Sequence, residues 1–204
     1  MLAGDLLLTG TEQILGVRQK DGGLVFTYPA RRVVLSPDTV YLLTGKECIA
    51  YRRKRWTDIV TGIQSLKLQV RNQRRRVNSL REQVRRNKSL AKRLQNEIQL
   101  LNRLQADFKT AEAELKNSAR WRRPCTLTDS LILAGKTLFA GGPGRVVAFD
   151  AESGRTVWTG EVEGTARGLA VSDAKLFVST DTGSIYCFGS QEGGRTVTIE
   201  PEKV

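Results

Sequence analysis

Histidine is absent from the 204 residues, and cysteine occurs only at Cys48, Cys125 and Cys187. The first absence removes imidazole acid–base chemistry and Cys/His zinc sites, and an odd, widely spaced set of thiols reads as core packing rather than a disulfide framework. No apolar run approaches the roughly 18 residues that a membrane-crossing helix requires, so no transmembrane segment is expected. The stretch from Met1 to Leu8 lacks a basic start and meets an acid at Asp5. It reads as a strand rather than an export signal, which leaves the compartment unassigned. Proline is missing over one long interval: between Arg52 and Arg123 there is none, and Gly62 is the single glycine. That interval carries 21 of the 33 Lys and Arg but six of the 21 Asp and Glu, a net +15 against −3 for the remainder. The basicity is therefore local.

Outside this interval the chain repeats. Ile14-Leu15-Gly16-Val17, Cys48-Ile49-Ala50-Tyr51, Val146-Val147-Ala148-Phe149 and Ile185-Tyr186-Cys187-Phe188 share two apolar residues, a small one, then an aromatic or aliphatic one. Each follows a strand-like run that closes at glycine or a polar turn, which predicts hairpins. Ten residues after the small position comes Phe26, Trp158 or Val197, always beyond a glycine turn (Gly22-Gly23, Gly154, Gly193-Gly194). In the second repeat the matching residue is Trp121, 71 residues after Ala50, an excess of 61. Removing that excess brings the repeat start-to-start distance from 98 down to 37, beside neighbours of 34 and 39. The basic interval is thus an insertion into one turn. The division predicted is 1–51 and 121–204 for the repeats and 52–120 for the insertion.

The segment Ala148-Phe149-Asp150-Ala151-Glu152-Ser153-Gly154-Arg155-Thr156-Val157-Trp158 resembles the tryptophan-docking motif of pyrroloquinoline-quinone (PQQ) type β-propeller repeats. The resemblance implies four-stranded blades in which Ala148, Asp150, Gly154 and Trp158 tie neighbours together. The other units keep the pattern in part, with Arg18 and Gly189 in place of the acid. The expected fold is mainly β, a partial or small propeller of about four blades. Family propellers usually close with seven or eight, so the chain is expected to meet further blades or a second copy, a four-bladed ring being the other solution.

Within the insertion, apolar residues recur at Ile59, Ile63, Leu66, Val70, Val77, Leu80 and Val84, then at Leu90, Leu94, Ile98, Leu101, Phe108 and Leu115. Steps of three and four predict two helices forming a coiled coil. A single rod of about 60 residues would part its ends by about 90 Å, whereas adjacent strands require them close together. An antiparallel hairpin with its tip near 87–89 follows, with Ser89 as the expected N-cap of the returning helix and Val77 set near Ile98. Lys67, Arg71, Arg74, Arg75, Arg76, Arg81, Arg85, Arg86, Lys88, Lys92 and Arg93 face one acid, Glu82, giving the distal half +10. Such a run is either a solvated face or the contact for an anionic partner: an acidic protein surface, phospholipid headgroups or nucleic acid. Aromatic residues are missing from the tip, which argues against single-strand base stacking.

Enzymes of the resembled family use PQQ with calcium or a lanthanide, a catalytic acid and often adjacent cysteines, and its members often work in the periplasm or cell envelope. Here no cysteines are adjacent, and Asp38, Asp129, Asp173 and Asp181 fall in turn sequences where aspartate serves local hydrogen bonding. Gly141-Gly142-Pro143-Gly144 lacks the Lys-Ser/Thr of a phosphate loop and reads as a β-turn. No catalytic, cofactor-binding or metal-ligating residue is assigned. The reading that results is a binding scaffold, with a segment of a quinoprotein enzyme as the alternative.

Overall fold

The computed structural model describes residues 2–3 and 5–189. Its strands form three antiparallel sheets. The first contains β1 (Leu2–Ala3), β2 (Leu6–Thr9), β3 (Ile14–Arg18) and β4 (Leu24–Tyr28) in sequence order. The second contains β5 (Arg32–Leu35), β6 (Thr39–Leu43), β7 (Glu47–Arg52) and β8 (Ala119–Pro124), again in order. The third runs β9 (Ser130–Ala134), β10 (Thr137–Asp150), β11 (Thr156–Ser172), β12 (Lys175–Thr180) and β13 (Ile185–Phe188) from one edge to the other.

The ten-residue spacing is a cross-strand pairing: Gly16 lies opposite Phe26, Ala50 opposite Trp121, and Ala148 opposite Trp158. A register shift follows each pair at the same place, between Gly16 and Val17, Ala50 and Tyr51, and Ala148 and Phe149. A bulge there lets the small residue lie beneath the large one while the strands twist on. The insertion leaves this register untouched, because Tyr51 pairs with Ala119 across it. Val197, the fourth expected landmark, lies outside the described residues.

The third sheet accounts for two repeats. A straight strand of 14 residues would hold its ends about 45 Å apart, yet the Ala151 N–H donates to the Lys136 carbonyl at 2.9 Å. β10 therefore folds back on itself, and Gly144, at φ 74°, supplies the left-handed residue of that turn. β11 likewise serves twice: Thr156 to Thr165 pairs with β10, and Ala166 to Ser172 pairs with β12. The fold is a small β-propeller with an inserted helical hairpin.

One buried cluster joins the second sheet to the third through Tyr41, Leu43, Cys48, Trp121, Leu131 and Phe149. β6 is buried along its whole length, which matches its unbroken Val40-Tyr41-Leu42-Leu43 run, a pattern of strands covered on both faces. Burial pushes the Cys48 and Cys125 thiols up, whereas Cys187 is exposed. A second cluster, of Val146, Val162, Ala166, Leu176 and Val178, lies within the third sheet.

Lys54–Ser118 forms a separate compact unit. It comprises most of α1 (Arg53–Arg86), a 3-10 turn (Lys88–Leu90) and α2 (Ala91–Asn117). Val77 and Leu80 are buried, and so is Gln73, which fills the seam position that the apolar ladder skips between Val70 and Val77. Its amide donates to the backbone carbonyl and carboxylate of Glu97. α2 has no fully buried side chain; Leu94, Leu101, Phe108 and Leu115 are half-buried. Two features differ from the sequence-based expectation. Ser89 is not the cap: Asn87 Oδ1 accepts from the Ser89 N–H at 3.0 Å and hydroxyl at 2.7 Å, because an Asn side chain reaches the backbone two residues on. The helix–helix ties Gln73 to Glu97 and Arg55 to Glu114 also run four to five residues nearer the tip than folding at Asn87 implies. The turn itself occupies Lys88–Leu90.

Candidate functional site

All eleven basic residues between Lys67 and Arg93 are exposed, on helical backbone that fixes their spacing. Among the described residues, Arg85 alone of these meets a carboxylate, Glu82 at 3.0 Å. Like charges four apart, such as Arg71 and Arg75, cost an isolated helix a few tenths of a kcal/mol each. The ion pairs of α1 nearer its start, Lys54 with Asp58 and Arg55 with Glu114, show the opposite pattern. Positive potential is thus concentrated on the distal half, where the sequence had placed it.

The docking residues sort into a donor and a receiver. Trp121 of β8 lies against Gly154 of the next repeat, so closely that a Cβ added there would come within 2.5 Å of the indole. Its Nε1–H donates to the Ala151 carbonyl at 3.0 Å, where the Tyr41 hydroxyl also donates at 3.2 Å. Arg123 adds bonds to the Gly154 and Ser153 carbonyls at 3.0 and 3.2 Å. Gly154, at φ 69°, closes its turn by donating to the Asp150 carbonyl at 2.8 Å. Gly154 and Ala151, in the turn that Asp150 closes, therefore build the receiver for Trp121, while Ala148 lies opposite Trp158. Trp158 turns to the following repeat, edge-on to Phe188 at 4.9 Å. The junction of the first two sheets uses polar groups instead: the Tyr28 and Tyr51 hydroxyls meet at 3.5 Å, and Arg122 donates to Tyr51 at 2.8 Å.

The Asp150 carboxylate accepts from the Ser153 hydroxyl at 2.6 Å and its N–H at 2.8 Å. The hydroxyl bond foremost, then the N–H, holds Asp150 below the usual aspartate range. A lowered folded-state pKa contributes stability that is complete above about pH 4 and is lost as pH falls through the folded value. Replacing Asp150 with Asn is accordingly expected to flatten the acid limb of the unfolding curve. Chemical denaturation between pH 2 and 5 checks this; an unchanged acid limb would refute it.

Carboxylates that the sequence placed in turns serve local bonds among the described residues, and Asp129 and Asp181 share Arg167. Asp129 binds Arg167 at 2.7 Å, Asp181 accepts from the Thr165 N–H at 2.7 Å, and Asp150 serves its own turn. Among the described residues no three His, Cys, Asp or Glu side chains gather as a metal site.

Repeated bulged hairpins, with a tryptophan from one repeat seated on the glycine turn of the next, define a PQQ-type β-propeller repeat protein. The chain belongs to the family described as outer membrane protein assembly factor BamB, whose model matches residues 3–197. Among solved structures, BamB from Moraxella catarrhalis is similar at 13% identity and a TM-score of 0.45, over 95% of this chain and 45% of that one. This chain therefore spans less than half the length of that protein. The computationally designed Ika4 protein matches at 6% identity and a TM-score of 0.52, over 92% of this chain and 87% of its own. The N-terminal domain of Nup159 matches at 9% identity and a TM-score of 0.43, over 96% of this chain and 41% of its own. No curated protein matches the chain. Among the described residues no helix is long and apolar enough to cross a membrane.

Proposed function

We propose that this chain is a non-enzymatic propeller scaffold of the cell envelope, working in outer-membrane protein assembly, with its helical hairpin as the contact for an anionic partner. The observation that carries the arm's role is the cluster of exposed cations on its distal half, ten of them without a carboxylate among the described residues. Membership in the BamB-described family supports the assembly role. Carboxylates engaged in local bonds, Asp150 with Ser153 and both Asp129 and Asp181 with Arg167, support a role without catalysis.

The charge is separable from the sheets. Lys54–Ser118 holds sixteen of the 33 basic and six of the 21 acidic residues, a net +10 that leaves +2 for the rest. Replacing Lys54–Ser118 with Asn-Gly would join β7 to β8 by a short hairpin loop, with the pairing of Tyr51 and Ala119 preserved. On immobilised polyglutamate as the anionic probe, the full chain is expected to elute at several-fold higher salt than this shortened chain. Coincident elution of two folded proteins would reject the hairpin as the contact.

A further inference from the structure

The cations of α1 are not spread evenly around it. The seam runs through Ile63, Leu66, Val70, Gln73, Val77, Leu80 and Val84, in alternating steps of three and four. On a heptad helix, the positions following each first and second seam residue share one flank. Between residues 67 and 86 that flank comprises Lys67, Arg71, Arg74, Asn78, Arg81 and Arg85. Five of the six are basic. The opposite flank comprises Gln69, Asn72, Arg76, Ser79, Gln83 and Arg86, of which two are basic. The first flank is thus a straight cationic row about 27 Å long at 1.5 Å per residue. Across the hairpin, α2 offers one carboxylate between Ala91 and Gln105, that of Glu97, which already accepts from Gln73.

The chemistry of this row selects among anionic partners. Specific protein interfaces are anchored by buried aromatic side chains and by arginines seated in well-packed pockets beside them. This flank offers arginines without an aromatic or apolar anchor among them. Leu68 and Leu100, the exposed large apolar residues of the hairpin, lie off it. Single-stranded nucleic acid needs stacking platforms, which the flank also lacks. A straight row of flexible cations matches a flat sheet of phosphate groups better than a phosphate strand winding about a duplex.

Resting on the reading that the hairpin is the anionic contact, we propose that Lys67, Arg71, Arg74, Arg81 and Arg85 form a membrane-surface site that lies lengthwise on anionic phospholipid headgroups. Attraction is electrostatic, without apolar insertion, and therefore salt-reversible.

The test uses the full chain and vesicles of 30% phosphatidylglycerol in phosphatidylcholine. One variant carries K67Q, R71Q, R74Q, R81Q and R85Q; its control carries R75Q, R76Q, R86Q, K92Q and R93Q, with the same net charge. The flank variant is expected to lose at least about a hundredfold in vesicle partitioning, the control less than about tenfold. Both should remain helical by circular dichroism, since the removed charges repel one another and the exposed Arg85–Glu82 pair in the flank variant is worth only a few tenths of a kcal/mol. Equal losses, absence of binding to the anionic vesicles, or tighter binding to duplex DNA than to vesicles at equal salt would each overturn the lipid site. Retention on polyglutamate without vesicle binding would overturn this inference alone; loss of both would overturn the hairpin reading as well.

Discussion

Replacing Trp121 with alanine is expected to lower the stability of the sheet unit by about 3–5 kcal/mol, the range for emptying a buried aromatic site. The side chain is 7% exposed, and three kinds of contact end with it. Its ring stands 6.0 Å from that of Tyr41 and 6.4 Å from that of Phe149, it covers Gly154, and its Nε1–H satisfies the Ala151 carbonyl. Phenylalanine keeps most of the ring and loses the donor. Because Ala151 still accepts from Tyr41, Trp121→Phe should cost only about 1–1.5 kcal/mol.

Gly154→Ala probes the same contact from the other side. It places a Cβ against the indole and an L residue at φ 69°, the latter alone costing about 1–2 kcal/mol. In the double variant the clash disappears and the backbone strain stays. The two losses should then combine to less than their sum, by more than about 0.5 kcal/mol. Urea unfolding of the four proteins measures the coupling. Strict additivity would mean that the tryptophan and the glycine turn do not act as one joint.

The second large effect is expected in the hairpin. Gln73→Ala removes the donor that serves both the Glu97 carbonyl and its carboxylate, and should destabilise the hairpin by about 2–3 kcal/mol. Leucine at both positions should recover that loss or exceed it, since apolar groups of similar volume often replace a buried polar pair without penalty. The recovered hairpin should have a looser register, because the surrounding apolar steps repeat every seven residues and a slipped pairing would bury comparable surface. Spin labels on α1 and α2 would report a single distance in the natural chain and a broadened distribution in the double variant. A narrow distribution in that variant would show that the turn alone sets the register.

Much of this was legible in the residues. The pairing of Ala50 with Trp121 across the insertion could be read because glycine turns and period-two alternation are local properties, repeated often enough to expose one displaced copy. The hairpin was legible for the same kind of reason: two apolar ladders, no proline, and a short polar break. Its polar seam residue was not. Gln73 left a trace, the missing step between Val70 and Val77, but a gap in an apolar ladder does not name its partner on the other helix. Ser89 was mistaken for a cap because hydroxyl and carboxamide side chains compete for the same backbone groups. The flank asymmetry of the arm became visible once the seam was known to run through position 73, since that phase decides which cations stand side by side.

The amino-acid sequence by itself determined the strand register, the position and length of the insertion, and the concentration of charge on its distal half, all of which follow from spacing along one chain. The tertiary structure decided which tryptophan serves which glycine turn, where β10 doubles back, and which buried amide locks the two helices. Those contacts join residues such as Trp121 and Gly154, 33 positions apart in different repeats. They depend on how closely two folded surfaces approach, and no pattern within either segment encodes that distance.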